Sequence, residues 1–412
     1  MRFAPSRIIL PLGLLVTSIS IFGCSGGSGT SGTTPTGTTG TGNVQPITVN
    51  AGPTGNYVDG AFTSVTVCAP GSTTNCQTIG GILVDTGSPG LRILSSALTI
   101  SLPQQTDGSG NSMAECAVFA DGFTWGPIQT ADVKIAGEQA SAMPIQVIGS
   151  PNFLTIPTSC SNQNIQSQMG PLDDLTSLGA NGLLGIGQSI QDCGTACSTA
   201  GPASLGTYYS CPSPAACADT TESLALQVQN PVASFATDNN GVIIELPAVP
   251  TPQATVSGSL IFGIGTQSNN GLGSATVFGT DQFGNFITTY KTVQYQSFLD
   301  SGSNGIYFLD SATTGMPTCL DIKFLYCPTS SQQISVSNNA EPGTNGASGP
   351  ATIDVGNADI LLSATNAAAI NGLAGPQAGM FDFGLPFFFG HNVYVAIEGR
   401  STPGGTGPYT AY

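Results

Sequence analysis

From about Pro46 onward the chain is built of short apolar or alternating runs cut by Gly, Asn, Pro and Ser. Examples are "TSVTV", "GGILV", "ADVKIAG", "GVIIEL", "GSLIFG", "ATIDV" and "NVYVAI". Closely spaced runs of this length, with little sustained 3.6-residue periodicity, predict a mostly antiparallel, all-β body. Short helices are predicted, for instance, near Thr221–Val228 and Asn366–Leu373, and the tail "STPGGTGPYTAY" reads as a loose end. Ahead of the strands the pattern changes. Arg2 and Arg7 precede an apolar run, Ile8–Phe22, broken by Pro11 and Gly13. It is too short for a comfortable membrane span and reads as a targeting segment. Residues 25–45 are rich in Gly, Ser and Thr, the composition of a flexible tether.

Composition sharpens this picture. Charged residues are only 7% of the chain, and 23 acids against 7 bases give a net charge of −16. That balance argues against nucleic acid or an anionic membrane surface as a partner. Cysteine usage points to export. Of eleven cysteines, Cys24 closes the segment "SIFGCSGG", and Ile21-Phe22-Gly23-Cys24 resembles the bacterial lipobox, in which the cysteine carries the lipid. The resemblance implies a signal peptide over 1–24, lipid attachment at Cys24 and, with Ser25 following, an outer-membrane lipoprotein. Phe22 is bulkier than the motif usually accepts. Ten cysteines remain, which suits five disulfides in an oxidising compartment. Cys68 with Cys76 and Cys319 with Cys327 suggest themselves as local pairs, and Cys116 with Cys160 is a plausible third. Cys193, Cys197, Cys211 and Cys217 can pair in three ways. A zinc site is the competing reading, but these spacings lack a nearby histidine, so no metal is expected.

A length of 412 residues allows two to three domains. Internal comparison suggests two. "ILVDTGSPGLRIL", Ile82–Leu94, aligns without gaps on "SFLDSGSNGIYFL", Ser297–Leu309. The two share Asp85/Asp300, Gly87/Gly302, Ser88/Ser303, Gly90/Gly305 and Leu94/Leu309, and Thr86 and Ser301 both supply a hydroxyl. The spacing suits two homologous β-lobes, placed at 47–250 and 251–412 after a linker at 25–46. Carboxylates on equivalent elements of paired lobes can meet on the axis between them. Held close, they share a proton. Such a pair activates a water with one carboxyl and protonates a substrate carbonyl with the other, without a metal or cofactor. Gly87 and Gly302 permit a tight turn that points amides at the carboxylates, and Thr86, Ser88, Ser301 and Ser303 offer hydroxyls to hold them.

On these residues the sequence resembles the pepsin-like aspartic proteases, whose two Asp-Thr/Ser-Gly turns form the catalytic dyad. Further segments match in order. "NGLLGIG", with Leu183, Leu184 and Gly185, is similar to the element that closes the first lobe's loop. "FADGFTWGPIQTADVKIAG" resembles the flap hairpin, which would place Phe119, Gly122 and Trp125 over a substrate cleft, with simple packing an equal reading of Trp125. "GSLIFGIG" resembles the strand near the lobe junction, and "FDFGLPFFFGHNVYVAIE", with Phe383 and Gly384, resembles the second closing segment. The ending "FGLPFFFGHNVY" is also similar to that of a bacterial lipoprotein family of unknown function. The resemblance implies a bilobal fold, a monomer, an extended peptide or unfolded protein as substrate, and contact with the membrane only through the N-terminal lipid. The chain departs from the pattern in three places. Phe119 stands where the flap usually has tyrosine. Asp382 precedes Phe383-Gly384 where an apolar residue is expected. Residues 25–45 carry no base, unlike a basic pro-segment.

Other chemistry lacks parts. His391 is the only histidine, so Ser-His-Asp and Cys-His arrangements are incomplete. Asp173, Asp174 and Asp310 read as loop or surface acids. Two further readings stand beside the hydrolase: a non-catalytic envelope lipoprotein that holds a peptide or protein in the same cleft, and a structural β-protein.

Overall fold

The structure, a computed structural model, describes residues 42–162, 170–198, 206–344 and 346–412. The strands run in order as β1 (Val44–Val49), β2 (Ala61–Cys68), β3 (Cys76–Asp85), β4 (Pro89–Leu94), β5 (Ser112–Phe119), β6 (Gly122–Ile135), β7 (Glu138–Ile148) and β8 (Gly182–Ile186). Next come β9 (Tyr208–Ser213), β10 (Ala216–Thr220), β11 (Gly241–Glu245), β12 (Val256–Phe262), β13 (Val277–Gly279), β14 (Phe286–Tyr290), β15 (Val293–Asp300) and β16 (Ile306–Leu309). The last are β17 (Gln332–Asn339), β18 (Ser348–Val355), β19 (Ala374–Gly375), β20 (Gln377–Gly384), β21 (Asn392–Ala396), β22 (Ser401–Thr402), β23 (Gly405–Thr406) and β24 (Tyr409–Ala411). Helices are single turns. Three of them are capped by Asp174, Asp310 and Asn357, whose side chains accept from a backbone amide of the first turn.

Fifteen strands form one sheet, in the order β10-β9-β5-β6-β7-β4-β8-β3-β2-β1-β12-β11-β21-β24-β13. Seven form another, β18-β17-β14-β15-β20-β16-β19. β6 is 14 residues long and serves three neighbours: its first half pairs with β5, its second with β7 and β2. The β6–β2 pairing closes β2, β3, β8, β4, β7 and β6 into a ring, which leaves those strands no open edge. The larger sheet crosses residue 250: β1 pairs along its whole length with β12, and β12 with β11.

Burial follows from strand position. β14 alternates strictly, while β8, read as Gly-Leu-Leu-Gly-Ile, is buried at every position and has both edges paired, to β3 and β4. In the smaller sheet Phe308 stacks on Phe381 at 5.4 Å, and Phe381 and Phe383 continue the stack at 5.9 Å.

Three sequence expectations need correction. The tether does not reach residue 46, because β1 starts at Val44, where the chain finds β12 as a partner. The tail is not loose: β24 pairs with β21 and β13, and Tyr412 stacks on Phe278. The helix expected at Asn366–Leu373 lies earlier, at Ala358–Leu362, where Asn357 supplies the cap. Leu224–Leu226 does form a single 3-10 turn.

Candidate active site

Strand β3 ends at Asp85 and β15 ends at Asp300. Their surroundings repeat strand for strand. β3 pairs in parallel with β8, Asp85 facing Gly185, and β15 pairs in parallel with β20, Asp300 facing Gly384. β8 then pairs antiparallel with β4, and β20 with β16. Leu183 and Leu184 thus take the same places in the first copy as Asp382 and Phe383 in the second. Gly185 and Gly384 must be glycines: a Cβ on Gly185 would come within 2.6 Å of the Pro89 carbonyl carbon, and one on Gly384 within 2.0 Å of the Gly305 carbonyl oxygen.

The two copies are stitched together by hydroxyls. The Thr86 amide donates to Ser301 Oγ at 3.1 Å, and the Ser301 amide donates to Thr86 Oγ1 at 2.9 Å. In turn Thr86 Oγ1 donates to the Leu299 carbonyl and Ser301 Oγ to the Val84 carbonyl. Each hydroxyl uses its one proton and accepts once, so both are satisfied although buried.

Each carboxylate is held by its own turn. The Gly87 amide donates to Asp85 Oδ1 at 2.8 Å and Ser88 Oγ to Asp85 Oδ2 at 2.5 Å. The Gly302 amide donates to Asp300 Oδ1 at 2.8 Å and Ser303 Oγ to Asp300 Oδ2 at 2.7 Å. The Oδ1 atoms face one point, since a Cβ placed on Gly302 would stand 2.9 Å from Asp85 Oδ1 and 3.1 Å from Asp300 Oδ1. They are therefore no more than about 6 Å apart. Both aspartates are fully buried. Burial pushes Asp300 well above the usual carboxylate range, and the charges of Asp85 and Asp382 push it further; its bonds from Ser303 and Gly302 oppose them.

The hairpin β5–β6 pairs Phe119 with Gly122 across the turn Ala120-Asp121. The charge of Asp121 in that turn is among the influences that raise Tyr307 of β16, after burial itself, Asp382, Asp59 and Tyr57. Gly122 is packed so closely that a Cβ would meet the Gly170 carbonyl at 2.8 Å. Phe119 lies beneath Arg92, with the guanidinium carbon 5.8 Å from the ring centroid. Of the two readings of Trp125, the structure shows packing. The side chain is buried, donates from Nε1 to the Phe153 carbonyl at 2.9 Å and meets Tyr209 edge-on at 5.0 Å, so it packs the base of the hairpin rather than lining a cleft.

Three features were not anticipated from sequence. Arg92, inside the first repeat, is buried and bonds Glu115 at 2.5 Å and Asp192 at 3.0 Å, with Tyr208 donating to Asp192. Asp59 is buried, accepts from the Ile370 amide through Oδ1, and has no hydrogen-bond partner on Oδ2 among the described residues. Asp382 sits behind Ser303, which its place in an otherwise apolar run had signalled only as a departure. His391 is bland: its Nδ1 is 2.7 Å from the Phe387 carbonyl and its ring stacks on Phe387.

The ten cysteines after Cys24 pair as Cys68–Cys76, Cys116–Cys160, Cys193–Cys197, Cys211–Cys217 and Cys319–Cys327, which resolves the set that sequence left open. Five disulfides suit an exported protein. No helix among the described residues is long and apolar enough to cross a membrane. The expected signal peptide, Cys24 and nearly all of the tether lie outside the described residues.

Fold and site together define an all-β, disulfide-linked protein whose strand repeat brings two equivalent aspartates to one buried centre. Residues 39–412 match a family described as proteins of unknown function (DUF3443), and the chain belongs to that family. A comparison with curated proteins finds no match.

Proposed function

We propose that this protein is an aspartic-type endopeptidase of bilobal, pepsin-like architecture, exported and tethered to the outer membrane through a lipid on Cys24. The observation that carries the reading is the approach of Asp85 Oδ1 and Asp300 Oδ1 to within about 6 Å of each other, each carboxyl fixed by an amide and a hydroxyl of its own turn. With one proton between them, the ionised carboxyl takes a proton from a bound water as its oxygen attacks the peptide carbonyl carbon. The protonated carboxyl donates to the carbonyl oxygen. The tetrahedral adduct then collapses, the C–N bond breaks, and a proton passes to the leaving amine, so that water is consumed and no covalent intermediate forms. The buried setting suits this work, because fixed donors in a dry site act more strongly than water does. The hairpin at Phe119–Gly122 has to lift for an extended peptide to reach the centre.

Asp85→Asn and Asp300→Asn should each lower hydrolysis of a denatured protein at acidic pH by about 10³-fold or more while leaving the fold intact. Undiminished turnover in either variant would rule out the dyad. A second reading, a binder that holds peptides without cutting them, is favoured by Phe119, whose ring is engaged with Arg92 and carries no hydroxyl. Tight peptide binding without turnover across a broad pH range would support it.

A further inference from the structure

Ser303 has one hydroxyl proton and stands between two buried carboxyls. Its Oγ is 2.7 Å from Asp300 Oδ2 and 2.7 Å from Asp382 Oδ2. A serine hydroxyl donates once and accepts twice. Were both acids ionised, one contact would set an oxygen lone pair against a carboxylate oxygen in a site shielded from water, an arrangement that is strongly unfavourable. One of the two carboxyls therefore carries a proton and donates it to Ser303 Oγ.

The repeat decides which. In the first copy Ser88 donates to Asp85 and the place of Asp382 is taken by apolar Leu183, so there the hydroxyl has a single carboxylate to serve. The amide and hydroxyl donors around Asp300 reproduce those around Asp85, where the serine of the turn donates to the carboxyl oxygen. Ser303 then donates to Asp300, and the proton it accepts comes from Asp382.

We propose that Asp382 is a third carboxyl of this centre, a positioning residue that in its protonated form donates to Ser303 and thereby commits the Ser303 proton to Asp300. The proposal rests on the dyad reading and adds to it a group that breaks the symmetry between the two aspartates. It also gives the centre a pH limit. Among the described residues, the titratable groups facing Asp382 include Asp300 and, beyond it, Asp85 from the strands that carry the dyad, and Tyr307, its partner across β16. Tyr307 in turn feels Asp59, Tyr57 and Asp121. None of these is a base, and burial with Asp382 keeps the Tyr307 hydroxyl well above its usual range, so it stays neutral. When rising pH removes the Asp382 proton, Ser303 is shared between two anions, Asp300 loses its donor and turnover falls.

Asp382→Asn keeps the shape and offers an amide N–H that does not titrate. In the full chain it should move the alkaline limb of kcat/KM upward by about one pH unit or more, with the acidic limb unchanged. An unmoved alkaline limb in a folded variant would overturn the proposal. The infrared spectrum gives a readout that needs no turnover. At neutral pH the wild-type protein should show a buried protonated-carboxyl stretch that Asp382→Asn removes and Ser303→Ala shifts. A spectrum unchanged by Asp382→Asn sinks the idea, and if that variant does not fold, a band unmoved by Ser303→Ala does the same. Absence of peptidase activity in the wild type would sink the dyad reading alone, because the spectrum still decides where the proton sits.

Discussion

The Thr86 hydroxyl accepts from the Ser301 amide and donates to the Leu299 carbonyl, two groups with no solvent to turn to. Replacing it by an isosteric methyl leaves both unsatisfied. Thr86→Val should therefore destabilise the protein by about 2–4 kcal/mol, measured by denaturant unfolding, whereas Thr86→Ser should retain most of the stability. Equal stability of the two variants would mean that the hydroxyl bonds do not hold the halves together. Ser301 plays the reciprocal part through Val84 and Thr86. What makes these residues informative is that their bonds link positions 215 and 213 residues apart, so one hydroxyl sets the approach of two strands that lie far apart along the chain.

At the scale of elements, the hairpin β5–β6 is anchored at its base. Trp125 and Tyr209 pack the base, and Cys116–Cys160 ties β5 to the short helix Thr158–Ser161 across a separation of 44 residues. On chain-entropy grounds a loop of that length makes the bond worth about 4 kcal/mol. Cys116→Ala/Cys160→Ala should lower stability by an amount of that order and speed proteolytic cleavage within the hairpin. A far smaller loss would mean that packing around Trp125 holds the hairpin by itself. The second anchor is electrostatic: Arg92 of β4 bonds Glu115 of β5 and Asp192, and also lies over Phe119. Burial raises Glu115 well above its usual range; Arg92 opposes that and Asp192 adds to it.

Across the whole molecule the acids dominate the pH dependence of stability. Burial raises Asp300, Glu115 and Asp59 well above the usual range, although the Ile370 amide opposes the shift at Asp59. A carboxyl raised in the folded state binds its proton more tightly there than in the unfolded chain. Its contribution is complete below the unfolded value of about 4 and is lost as pH rises through the folded one. Asp107, lowered to about 2 chiefly by the Ser210 hydroxyl, acts in the opposite sense, but it is exposed to screening. Self-repulsion at a net charge of −16 adds to the loss near neutrality. Tm should therefore be higher near pH 4 than near pH 8, and Asp59→Asn should flatten the slope. A Tm that rises with pH would contradict this account.

Sequence alone determined the strands, the repeat of Asp-Thr/Ser-Gly-Ser and the residues that flank it, because period-two patterning and turn chemistry are local and the repeat is written twice along the chain. It also suggested the local pairs Cys68–Cys76 and Cys319–Cys327 and made Cys116–Cys160 plausible, and all three are present. Tertiary structure decided the rest. Cys193–Cys197 and Cys211–Cys217 were chosen among three pairings by which backbones lie side by side. The tail became a strand because β21 and β13 offered it hydrogen bonds. Trp125 packs rather than lining a cleft because the edge of Tyr209 and the Phe153 carbonyl lie on its side of the hairpin. Asp382 shows the division most clearly. In sequence it is an acid breaking an apolar run, 79 residues from Ser303; in the folded chain the two are 2.7 Å apart. Whether a buried acid is a flaw or a proton donor depends on what faces it, and that is settled by contacts between residues the chain keeps far apart.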